Sequence, residues 1–376
     1  MKSITILLLH MQYGGIEKQT ITFANELSKK YNVKIISTYT MKSEPAYEVN
    51  PNVQIKYLID DKPNRNEFKD AIKSKNPLKI IQEAFKAIKI LYLKKHLMIK
   101  EIKKLQTDFV LSTRIEYADM LSKYAQKSVV TMTQEHLHND SDKYVKKVKK
   151  SFKNLDYLIV LGQGSKENYS KWLKDNKKIK IVEIPNILEK IPQQSSKLDG
   201  NRLVSVGRLH PVKDFKTLIY VFEKIIEKIP SATLTIVGGG DEYDNLNNLI
   251  KELNLEKSIK ITGMLDKEQV EEKMLNSDLY VMTSLTECFP MVLLEASSCG
   301  LPLIAFNVPV GPKAIIKNGV NGYLIDDRNI EEMASKLIEL LNNRTELKNL
   351  GKNSKEIVNN YIPERIMNKW DEIFEK

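Results

Sequence analysis

Cysteine is nearly missing from this chain: Cys288 and Cys299 are the only two in 376 residues. Two thiols build no disulfide framework, and such sparse use points to a reducing, cytoplasmic setting. Long apolar runs are missing too, since nothing approaches the ~20 residues of a membrane-spanning helix. The opening MKSITILLLH has an apolar run too short for a signal-peptide core, with no cleavage pattern behind it. No Gly-x-Gly-x-x-Gly follows the first apolar run, which disfavours a dinucleotide-dependent dehydrogenase. There is no low-complexity tract. No nucleic-acid-binding module is recognisable, and the basic stretches lack a repeated aromatic stacking pattern, so nucleic acid is not an expected partner.

Charge and apolar residues are present in quantity. The chain is 42% hydrophobic and 28% charged, with a net charge of +11. At this length it should form two domains, each with ample core. The basic residues concentrate in the N-terminal half. Lys86 to Lys104 and Lys143 to Lys153 alternate lysines with apolar residues at helical spacing. One reading is a pair of basic amphipathic helices resting on an anionic membrane surface, the protein being peripheral on the inner face. The other is a solvated lysine face over ordinary core helices.

Short apolar runs alternate with longer amphipathic stretches. Ile4–Leu9, Val33–Ser37, Phe109–Ser112, Val129–Thr133, Tyr157–Leu161 and Ile179–Ile184 predict strands, with helices over Glu17–Lys30 and Pro77–Lys104. Pro185–Gly200 (PNILEKIPQQSSKLDG) interrupts the pattern as a linker. The alternation then restarts. Arg202–Val206, Thr233–Val237, Ile259–Thr262, Leu279–Thr283 and Leu303–Phe306 predict strands. Helices are expected at Asp214–Lys228, Asp241–Leu253, Lys267–Leu275 and Ile330–Leu341. Strand–helix alternation on this scale implies parallel sheets with helices on both faces. Ligands of such folds bind at the carboxyl ends of strands.

The segment Thr283–Pro302 (TSLTECFPMVLLEASSCGLP) carries the most chemistry. A strand ends near Thr283, Pro290 suits a first helical position, and Gly300 and Pro302 stop the helix. Glu287 then lies in the turn and Glu295 one turn inside the helix. The amides around Phe289, Pro290, Met291 and Val292 form a helix start, which attracts an anion. Two carboxylates flanking such a start suit a ligand with hydroxyls at both ends and phosphates between them, such as a nucleotide sugar. Gly207-Arg208-Leu209 follows another strand, with Lys213 shortly after. These two cations fit a diphosphate whose charge grows as a bond to it breaks.

Gly14-Gly15 follows the first strand, where backbone N–H groups can approach a phosphate or sugar closely. Gln134-Glu135-His136-Leu137-His138 follows a later one. His-x-His also suits a metal, but no third ligand is evident. Asp140-Ser141-Asp142 is expected to cap a helix and not to hold a metal.

The Thr283–Pro302 segment is similar to the signature of the retaining family-4 glycosyltransferases (glycosyl transferase group 1), and the resemblance spans nearly the whole chain. It implies a GT-B fold: α/β, with two doubly wound Rossmann-like domains facing across a cleft. Residues 1–185 would form an N-terminal acceptor-binding domain and residues 186–362 a C-terminal nucleotide-sugar-binding domain. The final helix, 363–376, would brace the first domain. Glu287 would contact the donor sugar, Glu295 the ribose, and Arg208 and Lys213 the diphosphate. Gly14 and Gly15 would touch the donor phosphate, and Met264 would lie where the base is met through backbone atoms. His136 matches a histidine near the donor sugar, with His138 a rival.

The expected activity is transfer of a hexose from a nucleoside diphosphate sugar, UDP-linked before GDP-linked, to a hydroxyl acceptor with retention. The acceptor would be a lipid-linked or cell-surface glycan precursor in bacterial polysaccharide biosynthesis. No cofactor or metal is expected. The competing expectations are a sugar-nucleotide epimerase of the same fold and a non-catalytic nucleotide-sugar-binding scaffold.

Overall fold

The computed structural model describes residues 1–375. Lys376, the last position of the expected C-terminal helix, lies outside them. The chain divides into two compact units: Met1–Val160, Lys166–Ile187 and the stretch from Met367 onward, and then Leu161–Ser165 with Leu188–Ile366. Sequence places the passage into the second domain after residue 185; the long second stretch of the structure's second unit starts after Ile187. The hydrogen bonds explain the shift. The Ile187 amide donates to Gln19 of the first unit at 3.2 Å, and the Leu188 amide to the Tyr361 carbonyl of the second at 2.8 Å.

The first unit alternates β1 (Ser3–Leu8), α1 (Gly15–Leu27), β2 (Asn32–Tyr39), β3 (Gln54–Ile59), α2 (Arg65–Lys73), α3 (Pro77–Lys103), β4 (Phe109–Ser112), α4 (Ile115–Tyr124), β5 (Val130–Gln134), α5 (Asp142–Ser151), β6 (Tyr157–Val160), α6 (Gln163–Trp172) and β7 (Lys180–Glu183). Its seven strands are parallel, in the order β3-β2-β1-β4-β5-β6-β7. β1 and β4 are buried on both faces, so each is a continuous apolar run and not an alternating one. β3 is the strand that sequence reading missed. It lies at the sheet edge, where Gln54 and Ile55 are exposed and the apolar signal is weak.

The second unit continues with β8 (Arg202–Val206), α7 (Phe215–Lys228), β9 (Thr233–Val237), α8 (Tyr243–Glu252), β10 (Ile259–Ile261), α9 (Lys267–Leu275), β11 (Leu279–Met282), α10 (Met291–Ser298), β12 (Leu303–Phe306), β13 (Gly322–Ile325), α11 (Ile330–Asn342) and α12 (Arg344–Ile357). Its six parallel strands run β10-β9-β8-β11-β12-β13. β13 is a second strand that sequence reading missed. α7 shows why the helices pack. Phe215, Leu218, Ile219, Phe222 and Ile225 recur at helical spacing and are all buried, each contributing about 1.5–3 kcal/mol relative to exposure. Asp278 at the foot of β11 is fully buried. Burial alone would raise its carboxyl, but Arg202 at 2.8 Å and the Gly200 and Arg202 amides hold it below the ordinary range.

α13 (Pro363–Phe374) starts in the second unit and ends in the first. Within the first unit Trp370 packs on Phe23, with ring centroids 4.4 Å apart, and Phe374 meets Phe109 at 4.9 Å. In both sheets the strand order reverses beside the first strand, between β1 and β4 and between β8 and β11. Crevices outside the carboxyl ends at such reversals are where ligands of these sheets settle.

Candidate active site

In the second unit the chain leaves β8 through Gly207, Arg208 and Leu209 and makes one short 3₁₀ turn, Pro211–Lys213. Asp214 follows in the left-handed region at φ 48° and caps α7, accepting from the Thr217 amide at 3.3 Å. This sharp reversal sends the Lys213 side chain toward the loop after β11. Its Nζ lies 2.5 Å from Glu287 Oε1, and Ser284 Oγ donates to the same oxygen at 2.8 Å. The two side chains are 26% and 13% exposed. The pair is half-buried but open enough for a ligand to take over one partner.

Several backbone contacts hold the Glu287 loop. The Leu285 amide donates to Val212 O at 2.8 Å, Thr283 Oγ1 to Asp214 O at 2.9 Å, and the Gly311 amide to Glu287 O at 3.0 Å. A Cβ at Gly311 would stand 2.5 Å from that of Glu287 and 2.8 Å from its carbonyl carbon, so only glycine permits the approach.

Arg328 was not singled out from sequence at all. Its guanidinium donates to the Asp214 carboxylate and, at 2.9 Å each, to the carbonyls of Thr283 and Ser284. It also lies 4.3 Å from the Phe306 ring centroid. One side chain therefore ties the cap of α7 to the ends of β11 and β12, on either side of Lys213 and Glu287. The available signal was an arginine in a turn with φ 63°, which spacing cannot reveal.

Glu295 lies half-buried inside α10. Glu287 and Glu295 both act electrostatically on the buried Tyr280 hydroxyl, which is raised first by burial and then by these two acids. That hydroxyl donates to Val206 O at the end of β8, at 3.2 Å. Pro290 is corrected by one position: it is the residue before the helix, and Met291 is the first inside. The proline offers no side-chain acceptor, so the Met291 and Val292 amides start α10 without a side-chain cap. Phe289 is buried and rests 5.9 Å from the Tyr361 ring.

Arg208 is exposed on the β8 loop. The glycine run after β9 supports that loop. Gly238 and Gly240 take φ of 150° and 152°, and a Cβ on them would fall 1.9 Å from Gly207 O and 2.3 Å from Leu209 O. Met264 is 77% exposed.

In the first unit, the chain after β1 carries His10, Gly14 and Gly15, and that after β4 carries Arg114. Arg114 Nη2 donates to Glu17 Oε1 at 3.0 Å, and His10 Nε2 lies 3.8 Å from the same oxygen. Glu17 was not foreseen either. Its carboxylate occupies the space where a Cβ of Gly14 would point, 2.1 Å from Oε2, whereas nothing lies within 4 Å of that position at Gly15. A ligand therefore has open approach over Gly15 and a carboxylate over Gly14.

His136 lies two residues beyond β5. Its Nε2 is buried without a hydrogen-bond partner, as is Arg114 Nε. Burial, with Arg114 adding, pushes the His136 ring down to about 4, so it is neutral near pH 7. Glu135 beside it is buried and accepts from Tyr144 at 2.6 Å and Tyr169 at 3.2 Å. Burial lifts its carboxyl to about 7. His138 lies half-buried two residues on. In the Asp140–Asp142 segment it is Ser141 that caps α5, through the Tyr144 amide at 3.4 Å. Among the described residues, no three His, Cys, Asp or Glu side chains gather as a metal-binding group.

Each unit is thus a parallel α/β sheet with an ion pair at its reversal point, and two such units make a GT-B architecture. Residues 186–357 match the family model described as glycosyl transferases group 1. The whole chain is similar in fold to Staphylococcus aureus TarM, solved with fondaparinux, alpha-GlcNAc-glycerol and UDP. That match has a TM-score of 0.77 and 16% identity, and covers 100% of both chains. An uncharacterized glycosyltransferase of Haemophilus influenzae is 27% identical over 98% of this chain and 99% of its own. An exopolysaccharide phosphotransferase of Streptomyces coelicolor is 25% identical over 100% of this chain, which spans only 40% of that protein.

Proposed function

We propose that this chain is a retaining family-4 transferase, moving a hexose from a UDP-linked donor to a hydroxyl of a glycan precursor. The Lys213–Glu287 pair at the reversal between β8 and β11 carries this reading. In it a cation and a carboxylate are already oriented, one for a phosphate oxygen and the other for a sugar hydroxyl. Such preorganised charge stabilises a transition state without reorganising during the reaction.

In the proposed course the bond from the anomeric carbon to the β-phosphate oxygen breaks as the acceptor oxygen bonds to the same face. The departing phosphate oxygen takes the acceptor proton, so UDP leaves and no side chain becomes a nucleophile. Lys213 and Arg208 balance the negative charge that grows on the diphosphate, helped by the amides of Met291 and Val292. This assigns the charge balance to side chains and requires no metal cofactor. Glu287 orients the sugar, and Glu295 takes the ribose. His136, neutral and with an unpartnered Nε2, is suited to a sugar hydroxyl; Gly15 would meet a phosphate, and Met264 would border the base. The acceptor is proposed to be a lipid-linked or cell-surface glycan precursor on the cytoplasmic face. The UDP and glycan ligands of TarM, a protein of the same fold, support this choice.

Thermal-shift titration with UDP, GDP and their sugars tests the donor, because a ligand that binds the folded form raises its melting temperature. UDP and a UDP-hexose should raise it in the wild type and less in Lys213→Ala. Product analysis then separates the chemistry. Conversion of the donor with no acceptor present would mean an epimerase, and binding without turnover a scaffold. No shift with any nucleotide would remove the proposal.

A further inference from the structure

Helix α3 is apolar on two opposite faces. One face, through Ile90, Met98 and Ile102, is buried in the first unit. The other carries Leu78, Ile81, Phe85, Ile88 and Tyr92, which are 73%, 53%, 71%, 64% and 64% exposed. Their spacing of three and four residues puts them in one stripe along about 21 Å of helix. A core helix needs only the first face. The second is too long and too continuous for scattered surface apolar residues.

Lysines border this stripe on both sides. Lys86 and Lys89 flank one edge and Lys95 the other, at positions about 60–120° around the helix from its centre. Next to the stripe, Leu91, α4 and α5 line a hollow of about 420 Å³. Five lysines and two acids face it: Lys94 is paired with Glu116 at 2.6 Å and Lys123 with Asp119 at 2.5 Å. Lys95, Lys147 and Lys150 leave it with a positive excess. α5 itself does not share the stripe. Its Val148 is buried and Tyr144 and Val145 are half-buried, so the expected second amphipathic surface is core on its apolar side and lysine outside.

We propose that the outer face of α3 lies in the plane of an anionic phospholipid bilayer. Phe85 and its neighbours would enter the acyl boundary, and the bordering lysines would meet the phosphates. The charge pattern selects this occupant. A second copy of the chain would bring an identical lysine border against the first, whereas anionic headgroups complement it. The inference stands on α3 alone and is independent of the sugar-transfer reading.

Sedimentation of the full chain with phosphatidylcholine vesicles, with and without about a third phosphatidylglycerol, is the test. The wild type should bind the anionic vesicles at least about 10-fold better. Phe85→Glu with Ile88→Glu, both at exposed positions, should abolish binding while leaving the melting temperature and any nucleotide-induced shift unchanged. Lys86→Gln with Lys89→Gln, on the border of the stripe, should lose most of the preference for anionic lipid. Equal binding by the Phe85→Glu/Ile88→Glu variant would overturn the proposal. So would a wild-type dimer in light scattering that this variant converts to monomer, since a second copy would then cover the stripe.

Discussion

The two sheets reverse their strand order in the same way, and each sets an acid–base pair at the reversal, but with the signs exchanged. In the first unit the acid follows the first strand and the base the fourth: Glu17 and Arg114, 3.0 Å apart. In the second unit the base comes first: Lys213 and Glu287, 2.5 Å apart. The surroundings differ more than the pairs do. Glu17 is only 5% exposed and is wedged over Gly14, so its pairing with Arg114 holds a loop in shape. Glu287, at 13%, is more open than Glu17, and its loop is held from behind by Arg328 and Gly311. In the proposed function, the first pair is a brace and the second a receptor for charge.

The strongest test of that contrast is turnover. Lys213→Ala and Glu287→Ala should each reduce the rate of acceptor-dependent UDP release by about 10²-fold or more, while Glu17→Gln reduces it less than about 10-fold. A reversed ranking in a steady-state assay would invert the assignment of the two pairs.

A second test sharpens the first unit alone. The Glu135 carboxyl has an ordinary value of 4.5 and is held at about 7 in the fold. Between those values the folded chain keeps a proton that the unfolded chain has lost, so stability falls as pH rises through this window. The contribution is on the order of 3 kcal/mol. Glu135→Gln keeps an acceptor for the two tyrosines and should flatten the slope seen in urea unfolding from pH 5 to pH 8.

Arg328→Ala should cost about 2 kcal/mol, because it leaves the Asp214 carboxylate and two carbonyls short of a donor. A melting point within a degree of the wild type would show that the second pair needs no support from behind. The smallest effect separates the adjacent glycines. Gly15→Ala enters open space and should change stability by less than about 0.5 kcal/mol, whereas Gly14→Ala must move the Glu17 carboxylate and should cost about 1 kcal/mol.

Much of this was visible in the chain itself. The strands buried on both faces, β1, β4, β8 and β11 among them, announced themselves as apolar runs. Glu287, Lys213 and Arg208 could be found because turn and helix signals fix where strands end. β3 and β13 could not: β3 opens on the exposed Gln54 and Ile55 and β13 on a glycine, whereas the edge strands β7 and β10 were legible as apolar runs. Arg328 and Glu17 were hidden for another reason. Their importance lies in partners 97 or more positions away, 114 for Arg328 to Asp214 and 97 for Glu17 to Arg114, and no local pattern encodes such a contact. For α3 the lysines were read correctly as a band of charge, yet which apolar side looks outward depended on how the helix is seated.

The aromatic rings at the end of α13 have a consequence for how the protein is made. Trp370 and Phe374, 2% and 0% exposed, complete a cluster with Phe23 and Phe109. A ribosome delivers those partners more than 250 positions before it delivers the rings that cover them. The unit translated first is therefore the last to be finished. Until the codons of α13 are read, its exposed aromatic floor is a place for chaperones to hold and proteases to cut.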